Sequence, residues 1–262
     1  MSETLTRLTI HGGVARLVLN RPQKRNALSR QLIDELTAGV AEVAGDASAR
    51  MFILAAEGSV FCAGMDLGEM QDRAGRPDAA RLWQQDTQVY RDLVMSIFNL
   101  RVPTLAAVQG PVLAGGVGLV AACDFVLASE AASFTLPEPR RGISPAVVAP
   151  LLIYRVGAGR ATPLLLSGRT IAADDAYRIG LCHELAPQRE LAARESAWVD
   201  SVLAGAPGAL AKTKQLIIDC AAAGLAGQID MAMRVSAEAR STPEAREGLA
   251  AFLEKREPRW TP

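Results

Sequence analysis

Apolar and polar residues alternate over residues 5–10 and again over 14–20, and the His11, Gly12, Gly13 break between the runs predicts a two-stranded hairpin. RPQKRNALS (residues 21–29) ends the alternation. Behind it Leu32, Ile33, Leu36, Val40 and Val43 recur at helical spacing, with Ser29 placed to cap that helix. Residues 51–56 form an unbroken apolar run closed by Glu57 and Gly58, the pattern of a buried parallel strand. The polar stretch 71–77 predicts a mobile loop, residues 81–100 read as a long amphipathic helix, and Pro103 opens a strand through TLAAVQG. In GPVLAGGVGLVAACD (residues 110–124) a loop passes into an apolar helix, and residues 125–128 supply another strand. Strand, crossover helix and strand, repeated at this length, predict an α/β fold with a parallel sheet. After Pro150 the pattern turns mostly helical, with candidates at 171–179, 189–204, 208–223 and 226–240. That change suggests a helical C-terminal region used for self-association.

The chain has 262 residues, half of them hydrophobic, which is enough for one large domain with an ample core. Its 28 basic and 28 acidic residues balance, so no whole-molecule field draws it to nucleic acid or an anionic membrane. An anionic ligand must be met locally. The N-terminus lacks the basic-then-apolar form of a signal peptide and no apolar span approaches 20 residues, so a soluble, cytoplasmic protein is expected. Cys62, Cys123, Cys182 and Cys220 lack metal or disulfide spacing and are expected as free thiols. His11 and His183 are the only histidines, and neither neighbourhood suits a triad or a metal site, which disfavours a Ser-His hydrolase or a zinc enzyme.

Chemistry is suggested by two glycine-bearing segments, FCAGMDL (residues 61–67) and GPVLAGGVGL (residues 110–119). Without a Cβ, backbone N–H groups can approach a ligand oxygen closely. Gly115 and Gly116 fall where the apolar helix is expected to begin, and a helix start presents unpaired N–H groups and the positive end of the macrodipole. One such donor typically contributes roughly 3–4 kcal/mol of transition-state stabilisation. Taken alone, a glycine pair there also serves close packing. Two donor segments without a triad point to enolate chemistry on a carbonyl such as a thioester.

RPQKRNALS, AEGSVFCAGMDL and VQGPVLAGGVGLVAACDFVLASEAASFTLPEPRRGISP, in that order, resemble the enoyl-CoA hydratase/isomerase (crotonase) superfamily, and the similarity continues to EGLAAFLEKREPRW. The resemblance implies a ββα spiral core over residues 1–200 and a helical trimerisation region over 201–262. It further implies trimers or dimers of trimers and acyl-CoA substrates, with coenzyme A entering as part of the substrate and no metal or other cofactor. By position it assigns the two oxyanion amides to Cys62 and Gly115. Arg25, Ala27, Ala63, Asp66, Leu67 and Gly116 then fall along the nucleotide and pantetheine parts, and Phe252 and Lys255 at the adenine end. Arg25 and Lys255 also read as solvated charges, and Phe252 as helix core.

The resemblance also implies two glutamates around the substrate of the best-known hydratases. Glu138 in LPEPRRG matches one of them, while Gly118 stands where the other is expected. A carboxylate facing an apolar acyl pocket has its pKa raised by desolvation, which suits proton transfer near neutral pH. The alternative is a surface glutamate paired with Arg140 or Arg141. GGVGLVAACD with PEPRRGISPAVVAP is similar to the branched-chain methylglutaconyl-CoA and isohexenylglutaconyl-CoA hydratases, whose substrates bear a second carboxylate. Arg140 and Arg141 are candidates to bind it, or are a capping or surface pair. Glu69 and Asp72 are possible second acids or solvated loop residues. The expectation is an enoyl-CoA hydratase. Its rivals are an isomerase or decarboxylase on the same scaffold, and a weakly catalytic acyl-CoA-binding or RNA-associated scaffold.

Overall fold

The computed structural model describes residues 4–74, 76–222, 247, 251, 254–256 and 259. β1 (Thr6–His11) and β2 (Val14–Leu19) form the expected antiparallel hairpin, with Thr6 opposite Leu19. β2 then pairs in parallel with β3 (Met51–Ala56). The crossover between them is α1 (Arg30–Gly45), started by Ser29, whose hydroxyl accepts the Leu32 amide at 3.3 Å. The sheet continues in parallel through β4 (Thr104–Val108), β6 (Phe125–Ser129) and β9 (Glu184–Ala186), in the order β1-β2-β3-β4-β6-β9.

Alternate residues of the middle strands enter two different cores. Phe52 and Leu54 of β3 join a large cluster with α1, α3 (Ala79–Phe98) and α4 (Gly115–Ala122), whereas Met51 and Ile53 face Trp198, Val199 and Val202 of α8 (Leu191–Leu203). A strand covered on both faces has no polar side to show, so β3 reads as an unbroken apolar run. A second, smaller sheet sets parallel β5 (Val112–Leu113) and β7 (Ser133–Thr135) beside antiparallel β8 (Thr170–Ala172). The remaining helices are α2 (Leu67–Ala74), α5 (Val148–Val156), α6 (Ala158–Ser167), α7 (Ala173–Arg178) and α9 (Pro207–Ala222). None of the helices among the described residues is long and apolar enough to cross a membrane.

Several expectations shift. Much of the polar stretch expected as a loop is α2, because the Asp66 carboxylate accepts the Gly68 amide at 3.0 Å and caps the turn. The start of the helix expected at 171–179 is β8, and α7 begins only at Ala173. The boundary expected after residue 200 cuts through α8, whose apolar face is part of the core. The helix expected at 226–240 lies outside the described residues.

α9 is fastened by a buried charge. Lys214 Nζ sits 2.8 Å from Asp124 Oδ2, which also accepts the Thr104 amide at 2.8 Å and the Thr104 hydroxyl at 3.0 Å. Burial pulls the Lys214 pKa below its ordinary value, and Asp124 opposes that shift. Removing the cation strands the carboxylate. Lys214→Ala is expected to lower stability by roughly 2–3 kcal/mol in urea unfolding, and Asp124→Asn/Lys214→Met to recover part of it; a Lys214→Ala midpoint equal to wild type would refute this anchoring role.

Candidate active site

The backbone around residues 61–66 is held on both sides. Phe61 and Cys62 both donate to Pro111 O, at 3.0 and 3.4 Å, and Leu113 donates back to Cys62 O at 2.9 Å, continuing β5 as a single parallel bridge. On the other side Ala63 donates to Arg25 O at 3.0 Å, Leu28 donates to Gly64 O at 2.8 Å and Asp66 donates to Leu28 O at 3.1 Å. The loop that wraps this segment is clamped by Asn26. Its amide oxygen accepts the Arg21 amide, and its Nδ2 donates to Glu57 O and Val60 O at 2.9 and 2.8 Å.

These bonds engage the Cys62 amide, the one expected as a ligand donor in this segment. The Cys62 amide is turned into the bridge toward Pro111, so it does not face a ligand. Because Gly64 O and Asp66 N both point at Leu28, the Met65 N–H between them points the opposite way, and it has no acceptor among the described residues. That opposite side is the start of α4. A Cβ built on Gly64 would lie 3.3 Å from Gly115 N and 2.6 Å from the Ala114 Cβ. The Gly115 amide likewise has no acceptor among the described residues, whereas Ala114 donates to Thr135 O and Val117 to Ala114 O. Ala114 is held at φ +50°, a conformation costly for a residue with a Cβ, and it is this turn that aims the helix start. The pair of free amides is therefore Met65 and Gly115.

Glu138 arrives from the same joint. β5 and β7 run side by side, Leu113 opposite Thr135, and from their common end one chain leads into Gly115 and the other through Leu136 and Pro137 to Glu138. Glu138 opens a 3₁₀ turn, Glu138–Arg141, and is the one buried carboxylate residue among those described, with Oε2 out of solvent and without a hydrogen-bond partner. Burial raises its pKa above the ordinary 4.5, against smaller opposing effects of its own backbone amide and of Arg141. A carboxylate buried without a partner is poised to take or give a proton.

Tyr90 of α3 packs against the start of α4. Its hydroxyl donates to Gly115 O at 2.6 Å, and burial raises its pKa well above 10, with smaller contributions from Cys62 and Glu138. The phenol is thus neutral and within electrostatic reach of both. Gly118 makes room for it, since a Cβ there would overlap the Tyr90 hydroxyl outright.

The other expected residues divide. The Arg25 carbonyl fastens the loop to Ala63, and its side chain is exposed. Ala27 O accepts Arg21 Nη1 at 2.9 Å, and Asp66 is spent on the α2 cap and an ion pair with Arg21 at 2.6 Å. Arg21 lowers the Asp66 pKa over an opposing desolvation effect, which is the largest single influence on that group. Ala63 is half-buried, and Leu67 is exposed at the start of α2. Gly116 serves packing, because a Cβ there would stand 2.8 Å from the Cys62 Cβ and 2.9 Å from its carbonyl oxygen. The Cys62 thiol itself is pushed up to about 12 by burial and is inert as a nucleophile. Lys255 is exposed, and Phe252 lies outside the described residues.

Arg140 and Arg141, candidates for a second substrate carboxylate or a capping or surface pair, are both exposed. Arg140 donates to Ser167 O at 3.2 Å, at the end of α6, while Arg141 lies within electrostatic reach of Glu138. Glu69 accepts the Arg30 amide at 2.9 Å and so caps α1, and Asp72 is exposed. His183 accepts the Val126 amide through Nδ1 at 3.0 Å, and His11 is exposed at the end of β1. Met65, Tyr90 and Asn26 had no sequence-based assignment. A lone asparagine after RPQKR was the only visible cue to any of them.

The comparisons with known proteins identify the family. The family described as enoyl-CoA hydratase/isomerase matches residues 9–262. A Thermus thermophilus protein provisionally named enoyl-CoA hydratase is 34% identical over 249 residues, covering 95% of this chain and 98% of that protein. The crystal structure of an enoyl-CoA hydratase from Mycobacterium smegmatis is 32% identical and superimposes with a TM-score of 0.92 over 98% of this chain and 99% of its own. Pseudomonas aeruginosa AtuE is 34% identical, with a TM-score of 0.89 over 97% of this chain and 98% of its own. With two free amides, a buried carboxylate and a match along almost its whole length, the chain belongs to the enoyl-CoA hydratase/isomerase (crotonase) superfamily.

Proposed function

We propose that the chain is an enoyl-CoA hydratase that works with one carboxylate. The observation that carries this reading is the buried, partnerless Oε2 of Glu138, reached from the same strand joint as the free Gly115 amide. In the hydration direction the Glu138 carboxylate removes a proton from water as its oxygen bonds to the β-carbon. The double-bond electrons move onto the thioester oxygen, where the Met65 and Gly115 amides hold the enolate. Protonated Glu138 then returns the proton to the α-carbon, leaving a 3-hydroxyacyl thioester. Coenzyme A enters with the substrate.

A second reading, enoyl-CoA isomerisation, is favoured by one observation: the Tyr90 hydroxyl fills the place at Gly118 where a second carboxylate would help to hold water. Glu138 alone suffices to move a proton between the α- and γ-carbons. A branched or dicarboxylic acyl group belongs to the proposal only as a substrate to be tried, since Arg140 is engaged at α6.

Absorbance of the conjugated thioester separates the two. Hydration of a 2-enoyl-CoA bleaches it, and isomerisation of a 3-enoyl-CoA raises it. Glu138→Gln is expected to cut kcat by roughly a hundred- to ten-thousand-fold with KM little changed; an unaltered kcat would remove Glu138 from the reaction.

The same residue links activity to stability. Because the folded-state pKa is raised, its stabilising contribution is present below the ordinary 4.5 and is lost as pH rises through the folded value. Above that value wild type carries a desolvated charge that Glu138→Gln lacks, and at any pH above 4.5 it carries the cost of either that charge or the proton that replaces it. The variant is expected to melt higher than wild type at pH 7, with the gap closing toward pH 4, and wild-type kcat/KM to fall on the acid side with an apparent pKa above 4.5. A variant that melts lower at pH 7 would contradict the assigned burial.

Gly64→Ala tests the donor pair. At φ +82°, with its new Cβ against Ala114, the substitution spreads the Met65 and Gly115 amides. We expect kcat to drop roughly a hundredfold or more while circular dichroism stays native; full activity would place the hole elsewhere.

A further inference from the structure

Tyr90 lies 25 residues before Gly115 in sequence, on a different helix, yet it touches Gly115 in two ways. Its hydroxyl donates to the Gly115 carbonyl at 2.6 Å, and its ring Cε2 and Cζ would each lie 3.4 Å from a Cβ built on Gly115. Gly115 is the first residue of α4 and the source of one of the two free amides. The turn that leads into it is intrinsically unfavourable, because Ala114 holds φ +50°, so something must prevent the first turn from relaxing. The bond from Ala114 N to Thr135 O restrains it from the strand side, and Tyr90 restrains it from the helix side. Only an absent side chain at position 118 permits this. A Cβ there would overlap the Tyr90 hydroxyl and would also stand 3.3 Å from its Cζ and 3.2 Å from Val148 Cγ2.

We propose that Tyr90 is a positioning residue for the enolate-binding amides: its hydroxyl, seated in the space left by Gly118 and bonded to the Gly115 carbonyl, locks the first turn of α4 so that the Gly115 amide faces the thioester oxygen. The inference rests on the enolate reading above. It adds that Tyr90 and any side chain at 118 exclude one another, so this site keeps a tyrosine lock in place of a second acid. The tyrosine moves no proton in the reaction, because its single hydroxyl proton is committed to Gly115. Its loss should therefore slow enolate formation without weakening acyl-CoA binding.

The test uses the full chain as Tyr90→Phe, Gly118→Ala and the double variant, with Glu138→Gln alongside. Steady-state kcat and KM are measured on the substrate that wild type turns over. Exchange of the α-protons of butyryl-CoA in deuterated water reads enolate formation directly, and thermal melting reads the fold. Tyr90→Phe keeps the ring and is expected to lose about 10- to 100-fold in kcat and in exchange, with KM within about twofold. Gly118→Ala alone should lose at least as much. Gly118→Ala/Tyr90→Phe should be little worse than Tyr90→Phe, because the overlap with the hydroxyl is gone and only the contacts with Val148 at 3.2 Å and the ring at 3.3 Å remain; additive losses would overturn the shared-space argument. Unchanged kcat and exchange in Tyr90→Phe, a raised KM with kcat intact, or full activity in Gly118→Ala would each overturn the proposal. If Glu138→Gln is inactive while Tyr90→Phe matches wild type, only the tyrosine lock fails; if Glu138→Gln keeps full kcat and exchange, the enolate reading itself fails.

Discussion

The bond from the Ala114 amide to the Thr135 carbonyl, 2.8 Å long, is the joint from which the rest of the site hangs. It closes the end of the two-residue pairing of β5 with β7 and sets two outgoing chains side by side. One turns sharply into α4 and presents the Gly115 amide, and the other carries Glu138 into the buried space beside it. Parallel pairing matters here, because only parallel strands send both continuations off the same end. An amide without an acceptor among the described residues and a buried carboxylate thus both follow from a single pair of strands.

Strain and unfavourable burial collect around that joint. Of the four non-glycine residues with positive φ among those described, Arg25, Asn26 and Ala114 border the amide cradle. Each conformation costs about 1–3 kcal/mol and persists only when neighbours over-determine it. For Arg25 and Asn26 the neighbour is the Asn26 side chain, satisfied by three backbone bonds; for Ala114 it is the strand joint with Tyr90 behind it. Glu138 adds a carboxylate oxygen with no partner. These features cost stability, and the enolate-binding role proposed for the site would give them a purpose.

The sheet behind them supplies the rigidity. β3 and β4 are buried on both faces, between α1 and α3 on one side and α8 on the other, so the strand ends that carry the loops have little freedom to shift. The far end of α4 is tied as well. Asp124, just past the helix, bonds Thr104 at the start of β4 and Lys214 of α9, and Arg155 donates to Ala121 O at 2.7 Å. A helix pinned at its C-terminal end and locked at its first turn can present a fixed amide.

Elements whose burial repeats regularly were legible in the chain: the β1–β2 hairpin, α1 with its Ser29 cap, the apolar run of β3, the long α3, and the parallel character of the sheet. Periodicity is a local property, so it survives without a structure. The motifs were equally local, and they drew attention to Gly115, whose amide has no acceptor among the described residues, and to Glu138, which is buried. β5, β7 and β8 span two or three residues each, too short for any period, and α5 and α6 are masked by Pro150, Gly157 and Pro163. Which amide of FCAGMDL is free depends on which neighbour each peptide bonds, and that assigned Cys62 to Pro111 and left Met65 open. Tyr90 read as one more helical residue, because its meaning comes from a bare Cα at Gly118 on another helix. Sequence by itself settled the longer periodic elements and the family they belong to; the short strands, the direction of each N–H and the space each side chain could claim were decided only by contacts between segments far apart along the chain.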